Sequence, residues 1–183
     1  MEQFYCWLAG LIDGDGCFSI PISHRIRKSK GKEWIELRAQ VRIALKEKDS
    51  WALDYICQKA NIGKIYFSNK GKPNSACSWQ TTSWEDAIQI TRRVLPYLVI
   101  KKEKANLFLG ACERYVENYK GISIMDRMKG KTIRSVEMML DVTKVATTIN
   151  NDRQTERYRE FKNFDYWKPI IQKLYENKRT LIQ

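Results

Sequence analysis

Two carboxylates stand one residue apart at the end of an apolar segment: Asp13 and Asp15, within Leu8-Ala9-Gly10-Leu11-Ile12-Asp13-Gly14-Asp15-Gly16. Phe4, Trp7, Leu8, Leu11 and Ile12 recur at helical spacing, which predicts a helix over 4–13 that Gly14 and Gly16 end. Both carboxylates then meet the negative pole of that helix, an unfavourable place that a bound cation would relieve. The competing reading of Asp-Gly-Asp-Gly is a solvated turn. Other chemistry is scarce. His24 is the only histidine, which argues against histidine-rich metal sites and nucleophiles that need an imidazole base. Cys6, Cys17, Cys57, Cys77 and Cys112 are odd in number, widely spaced and free of C-x-x-C. Neither a disulfide framework nor a zinc knuckle is expected; they read as reduced thiols of an intracellular protein. Hydrolysis by this chain would rest on carboxylates, lysines and a hard metal.

The elements around these residues follow from patterning. Gly10 and Gly14 lie four apart beside Ala9 and Leu11, a small-residue stripe that lets another helix approach closely. Residues 17–27 alternate, with Phe18, Ile20 and Ile22 opposed to Ser19, Pro21 and Ser23 and then Arg25 and Arg27; Pro21 marks a bulge or an edge. A second strand sets Leu37, Ala39, Val41 and Ile43 against Glu36, Arg38, Gln40 and Arg42. Asp49 is an expected N-cap for a helix over 50–60 that buries Leu53, Ile56 and Cys57. Strands 64–69 and 76–82 flank a turn at Asn69–Asn74. Ser83 opens a helix to about Val94, Pro96 breaks it, and another runs from about Lys102 to Tyr119. Further helices are expected near 133–148 and 155–162, with a last one beginning near Pro169, which suits a first turn. Trp34, Trp51, Trp79 and Trp84 read as core or sheet-edge packing.

This order is α-β-β-α-β-β-α followed by a helical tail, an α+β arrangement with a four-stranded antiparallel sheet covered by helices on one face. The 183 residues suit a single domain, with a core over 1–120 and a helical extension over 121–183. The balance of 33 Lys+Arg against 21 Asp+Glu, a net charge of +12, favours a polyanionic partner, nucleic acid before an anionic membrane. No membrane partner is expected, because no apolar run has bilayer length and no basic helix is amphipathic. The open sheet face would carry Ser19, Ser23, Arg25, Arg27, Glu36, Arg38, Gln40, Arg42, Tyr66, Ser68, Lys70, Ser78, Gln80 and Thr82. Arg and Gln suit bidentate contacts with guanine and adenine in the major groove. Glu36 facing Arg25 or Arg27 reads equally as a cross-strand salt bridge. The loop Lys28–Lys32 and the tail residues Arg153, Arg157 and Arg159 are candidates for phosphate contacts.

The stretch Leu8–Gly16 resembles the nine-residue signature of the LAGLIDADG homing endonucleases, with Gly14 for the usual alanine. The resemblance continues through Cys17–Ile20, Ile43–Asp49, Ile62–Ile65, Trp79–Thr82 and 98–107 (LVIKKEKANL), spanning roughly residues 4–120. It implies the αββαββα fold with a DNA-binding sheet. It implies a site-specific endonuclease of double-stranded DNA that hydrolyses phosphodiesters at a long pseudo-palindromic site, using Mg²⁺ or another divalent cation such as Mn²⁺, in the service of an intron- or intein-type mobile element. In the family pattern Asp15 is the catalytic, metal-binding carboxylate, helped by the Gly14 carbonyl; Asp13 supports the helix end, and Lys101 is a second catalytic residue near the scissile phosphate, placed to polarise the activating water or steady the charge built up in cleavage. No second motif follows residue 100. The resemblance therefore implies a homodimer, with Trp7, Gly10, Leu11 and Gly14 at its interface. The Gln and Arg that order active-site water in chloroplast-type homodimers are not matched: Leu45 and Asp49, or Glu47 and Trp51, fall there, with Lys46, Glu47 and Lys48 available instead. The alternative function is nucleic-acid binding without cleavage, as a splicing maturase with intron RNA as partner or as a transcriptional regulator. An organelle (chloroplast or mitochondrion) and a prokaryotic or phage cytoplasm are equally compatible locations.

Overall fold

The computed structural model describes residues 1–27, 29, 31–72, 74–120, 135–150 and 162–176. Lys28, Lys30, Arg153, Arg157, Arg159 and nearly all of the helix expected at 155–162 lie outside the described residues. The chain forms two compact units, Met1–Ser19 with Ala39–Leu109, and Ile20–Arg38 with Gly110–Gln183.

The first unit opens with α1 (Glu2–Asp15), which buries Phe4, Tyr5, Leu8, Ala9 and Ile12 along one face. The helix continues through Gly14 and stops at Gly16, whose amide donates to the Ile12 carbonyl. Only glycine fits there: a Cβ on Gly16 would lie 2.7 Å from Ile12 Cα. Four strands follow in this unit: β1 (Gly16–Ser19), β4 (Gln40–Lys46), β5 (Lys64–Ser68) and β6 (Ala76–Gln80), paired antiparallel in the order β1-β4-β6-β5. In a pleated sheet directly opposed residues share a face. One face carries the rows Phe18–Val41, Gly16–Ile43–Trp79–Ile65 and Leu45–Cys77–Phe67. Its inner members Phe18, Val41, Ile43 and Trp79 are buried, and α1 and α3 (Trp84–Val94) pack against β4. Trp79 spends its indole N–H on the Ile62 carbonyl at 2.9 Å. Gly63 has φ +82° and lies so close to that indole that a side chain has no space.

The helices of this unit meet their sequence signals unequally. Ser83 caps α3 as its position suggests, its hydroxyl accepting from the Asp86 amide at 2.9 Å. Asp49 precedes α2 (Ser50–Ala60) without a side-chain cap; a 3₁₀ turn over Glu47–Asp49 leads in instead. Cys57 is half-buried rather than buried, and Trp51 is 67% exposed rather than packed. The cause is rotational: α2 turns Ala52, Leu53, Ile56 and Ala60 inward, which leaves Trp51 on the opposite side. Pro96 sits in a 3₁₀ turn, Leu95–Tyr97, before α4 (Lys102–Glu117).

In the second unit β2 (Ile22–Arg27) and β3 (Lys32–Leu37) form a separate antiparallel ribbon. Each long strand expected from alternation is thus two strands, interrupted at Ile20-Pro21 and at Arg38-Ala39. Pro21 has no amide to pair, and its carbonyl accepts from Arg38 N at 3.2 Å where the ladder breaks. Asn150, at the end of α5 (Val136–Asn150), brackets Ile20 by accepting from its amide and donating to its carbonyl at 3.0 Å. The last helix, α6, is Phe164–Glu176, so Pro169 lies inside it and not in its first turn. Asn163 sets the earlier start, its side chain accepting from the Tyr166 amide at 3.1 Å. Trp167, Ile171 and Tyr175 form its buried face. Among the described residues no helix is long and apolar enough to cross a membrane.

Candidate functional site

The C-terminal end of α1 and the approach to α4 are tied by two residues. Asp13 accepts from the amides of Val99 (2.8 Å), Ile100 (3.2 Å) and Lys101 (2.9 Å). These amides belong to the segment that leads into α4. Burial would raise the Asp13 carboxyl, but those three amides and the Lys101 charge outweigh it and hold it below the usual value. In return the Lys101 ammonium donates to the carbonyls of Ile12 (2.8 Å) and Asp13 (2.7 Å), with that of Gly14 at 3.4 Å. The cation demanded by the helix pole is therefore this lysine.

Asp15 is left over. Its side chain is exposed and makes no hydrogen bond or ion pair among the described residues. With Asp13 occupied, the Asp15 carboxylate is the side-chain oxygen donor open to a cation at this helix end, beside the Gly14 carbonyl that the Lys101 ammonium reaches at 3.4 Å. Among the described residues no three His, Cys, Asp or Glu side chains gather into a metal-holding group. That is a poor site for zinc. It suits a hard cation that takes one or two carboxylates and completes its shell with water and phosphate oxygens.

The outer stripe of α1 faces away from its own core. Trp7 is 37% exposed, Gly10 and Gly14 are exposed and Leu11 is half-buried. A Cβ built on Gly10 or Gly14 meets nothing within 4 Å. Trp7 stands edge-on to Tyr55 of α2, ring centroids 5.5 Å apart.

The open face of the four-stranded sheet carries the rows Ser19–Gln40, Cys17–Arg42–Gln80–Lys64, Ala44–Ser78–Tyr66 and Lys46–Ala76–Ser68. Every sheet residue expected there from the first unit is on it. Ser78, however, is only 8% exposed. Lys46, as a strand residue, and Lys64 belong to the face and were missed, although the alternation Lys64-Tyr66-Ser68 carries the signal. Lys70 extends past β5, its ammonium over the Phe67 ring at 5.1 Å. Thr82 is diverted: its hydroxyl donates to Asp86. Of the residues at the unmatched water-ordering positions, Leu45 turns to the core face, Trp51 is exposed, and Glu47 accepts from the Gly71 amide at 3.5 Å.

In the second unit the ribbon rows are Ser23–Glu36, Arg25–Trp34 and Arg27–Lys32. Glu36 accepts from Arg25 Nε at 2.7 Å, and from Arg38 Nη2 at 2.7 Å and Nε at 3.0 Å. Burial works against its charge, yet the two guanidinium groups hold its carboxyl below the usual value. The expected cross-strand pair thus forms with Arg25, and Arg38 joins it.

The pattern that defines the LAGLIDADG endonucleases matches residues 8–115, more than half of the chain. The chain belongs to the LAGLIDADG endonuclease family. Solved structures agree on the fold. The homing endonuclease I-CvuI, in complex with the I-CreI target, superposes with a TM-score of 0.70 at 17% identity, covering 94% of this chain and 96% of that one. The archaeal intron-encoded homing endonuclease I-Vdi141I, complexed with DNA, gives 0.66 at 18% identity, covering 95% and 98%. The group I intron-encoded I-CeuI, complexed with DNA, gives 0.68 at 11% identity, covering 93% and 77%. No curated protein sequence matches the chain. Within this LAGLIDADG endonuclease fold, α1 carries the family signature and β1, β4, β5 and β6 form its four-stranded antiparallel sheet.

Proposed function

We propose that this LAGLIDADG endonuclease is a site-specific, homodimeric, divalent-metal-dependent nuclease of double-stranded DNA. The observation that carries the reading is Asp15, an exposed carboxylate left without a partner at the end of α1 while Asp13 and Lys101 fix that end in place. Asp15, with the Gly14 carbonyl, would hold Mg²⁺ or Mn²⁺. When bound, the cation supplies Lewis acidity for phosphodiester hydrolysis. The chain's own residues do the rest. Lys101 and Asp13 orient the α1 end, and the Lys101 ammonium keeps positive charge near the Gly14 carbonyl. Arg42, Gln40, Gln80, Lys64 and Tyr66 offer donors and a ring to the duplex from the sheet. Arg25, Arg27 and Arg38 do so from the ribbon.

One carboxylate serves one strand. The uncovered stripe of Trp7, Gly10, Leu11 and Gly14 supports pairing with a second copy, which would bring a second Asp15 for the other strand. Related structures hold DNA, one determined with Mg and another with Ca, which supports a divalent cation at the site. The test is to offer the protein randomised and genomic duplex DNA with Mg²⁺ and sequence the cut ends. The expected result is a long, nearly two-fold-symmetric site cut in both strands. Binding without cutting at any divalent cation would leave only the DNA-binding part of the proposal.

A further inference from the structure

The Glu36 carboxylate holds two arginines at once, and the arrangement is asymmetric. Arg38 uses Nε and Nη2 on Oε1, whereas Arg25 uses only Nε, on Oε2. Both terminal nitrogens of Arg25 are therefore without a partner among the described residues, on a side chain 48% exposed. The register explains the reach: Ser23, short, stands opposite Glu36, so Glu36 can cross diagonally to Arg25 on the neighbouring pair.

We propose that Glu36 is a specificity-determining positioning residue that fixes Arg25 as a guanine-reading fork and keeps Arg25 and Arg38 from acting as free phosphate-binding cations. The inference rests on the DNA-cleaving function proposed above. A guanidinium reads guanine by placing two parallel N–H groups on O6 and N7. Pinning Nε leaves the two terminal groups aimed outward and removes stem freedom before DNA arrives. The carboxylate also reduces the net charge of the three side chains to +1 and repels phosphate, so the cluster contributes less to non-specific binding than two free arginines would. Exposed ion pairs stabilise folds little, so a role in folding alone does not account for the arrangement.

The test is duplex site selection from a randomised pool with the full-length protein, Glu36→Gln and Arg25→Lys, together with affinity for a non-cognate duplex over a salt series. The wild type is expected to prefer guanine at one position in each half of its site. Both substitutions should erase that same preference by about tenfold or more. Glu36→Gln should also bind non-cognate duplex more tightly and with a salt slope steeper by about one per chain. Arg25→Lys should leave that slope unchanged. Thermal melting separates a structural effect, and if Glu36→Gln melts early, Glu36→Asp, which keeps the charge but shortens the reach to the two guanidinium groups, takes its place in the selection and should erase the same preference. A guanine preference that survives either substitution, or is absent from the wild type, overturns the inference and leaves the nuclease reading standing. A wild type that binds no duplex overturns both.

Discussion

Asp13 and Lys101 clasp each other's segments: the Asp13 carboxylate takes the amides of Val99, Ile100 and Lys101 that lead into α4, and the Lys101 ammonium caps α1 by taking its last carbonyls, at 2.7 Å from Asp13's own carbonyl. The negative pole of α1 thereby meets a positive charge from the same chain. Asp15 takes no part in that arrangement, and its exposed carboxylate is engaged by none of the described residues.

Removing either cap should destabilise the first unit. Lys101→Met and Asp13→Asn are each expected to cost about 0.5–2 kcal/mol, the range for a lost helix cap. Urea denaturation measures it as a lowered midpoint with an unchanged slope. Variants as stable as the wild type would deny the reciprocal cap.

The same pair gives a pH dependence. Folding lowers the Asp13 carboxyl below its ordinary value of 3.8, so the unfolded chain takes up the proton first as acid is added. The stabilisation is fully present above that value and is lost as pH falls through the lower, folded one. Denaturation midpoints followed from pH 6 to pH 2.5 should drop more steeply for the wild type than for Asp13→Asn. Glu36, lowered by Arg38 and Arg25 against the effect of its burial, acts in the same direction, so Asp13→Asn retains part of the slope.

Two tryptophans should respond oppositely. Trp79→Ala removes a fully buried ring from the centre of the sheet and its bond to Ile62, at a cost of about 3–5 kcal/mol. Trp51→Ala, at an exposed position, should stay within about 0.5 kcal/mol. Thermal melts of both proteins distinguish the two.

Gly10 offers a test of the pairing surface that leaves the fold alone. Its Cβ position is open, and the helix interior prefers any ordinary residue over glycine by a few tenths to about 1 kcal/mol. Gly10→Leu should therefore fold at least as well as the wild type while sedimenting as a monomer. A dimer that tolerates Gly10→Leu would place the interface elsewhere.

Local signals made much of this molecule legible from sequence. The apolar period of α1, the Ser83 cap and the strand alternation in 40–46 and 64–68 appear where patterning put them. Pro21 signals a bulge or an edge, but the change of sheet at Ile20-Pro21 and at Arg38-Ala39 is not legible, because the alternation of side chains runs on across both while the backbone leaves one sheet for another. Pro169 misled because proline favours a first turn, but the cap at Asn163 outweighed it. The role of Lys101 was hidden for a different reason. Its acceptors are main-chain carbonyls, which every sequence has, and only the fold brings residue 101 to residues 12–14. Trp51 looked like core because tryptophan usually is, and the phase of α2 decided otherwise.

Whether Asp15 holds the metal for strand cleavage is read by comparing wild type with Asp15→Asn on the wild type's own selected duplex in Mg²⁺. Duplex binding and its salt dependence are read on the same samples. The expected result is loss of cutting in both strands, with binding retained within a few-fold, because the amide keeps the shape and loses the charge. Cutting at the wild-type rate by the Asp15→Asn protein would remove Asp15 from the metal site.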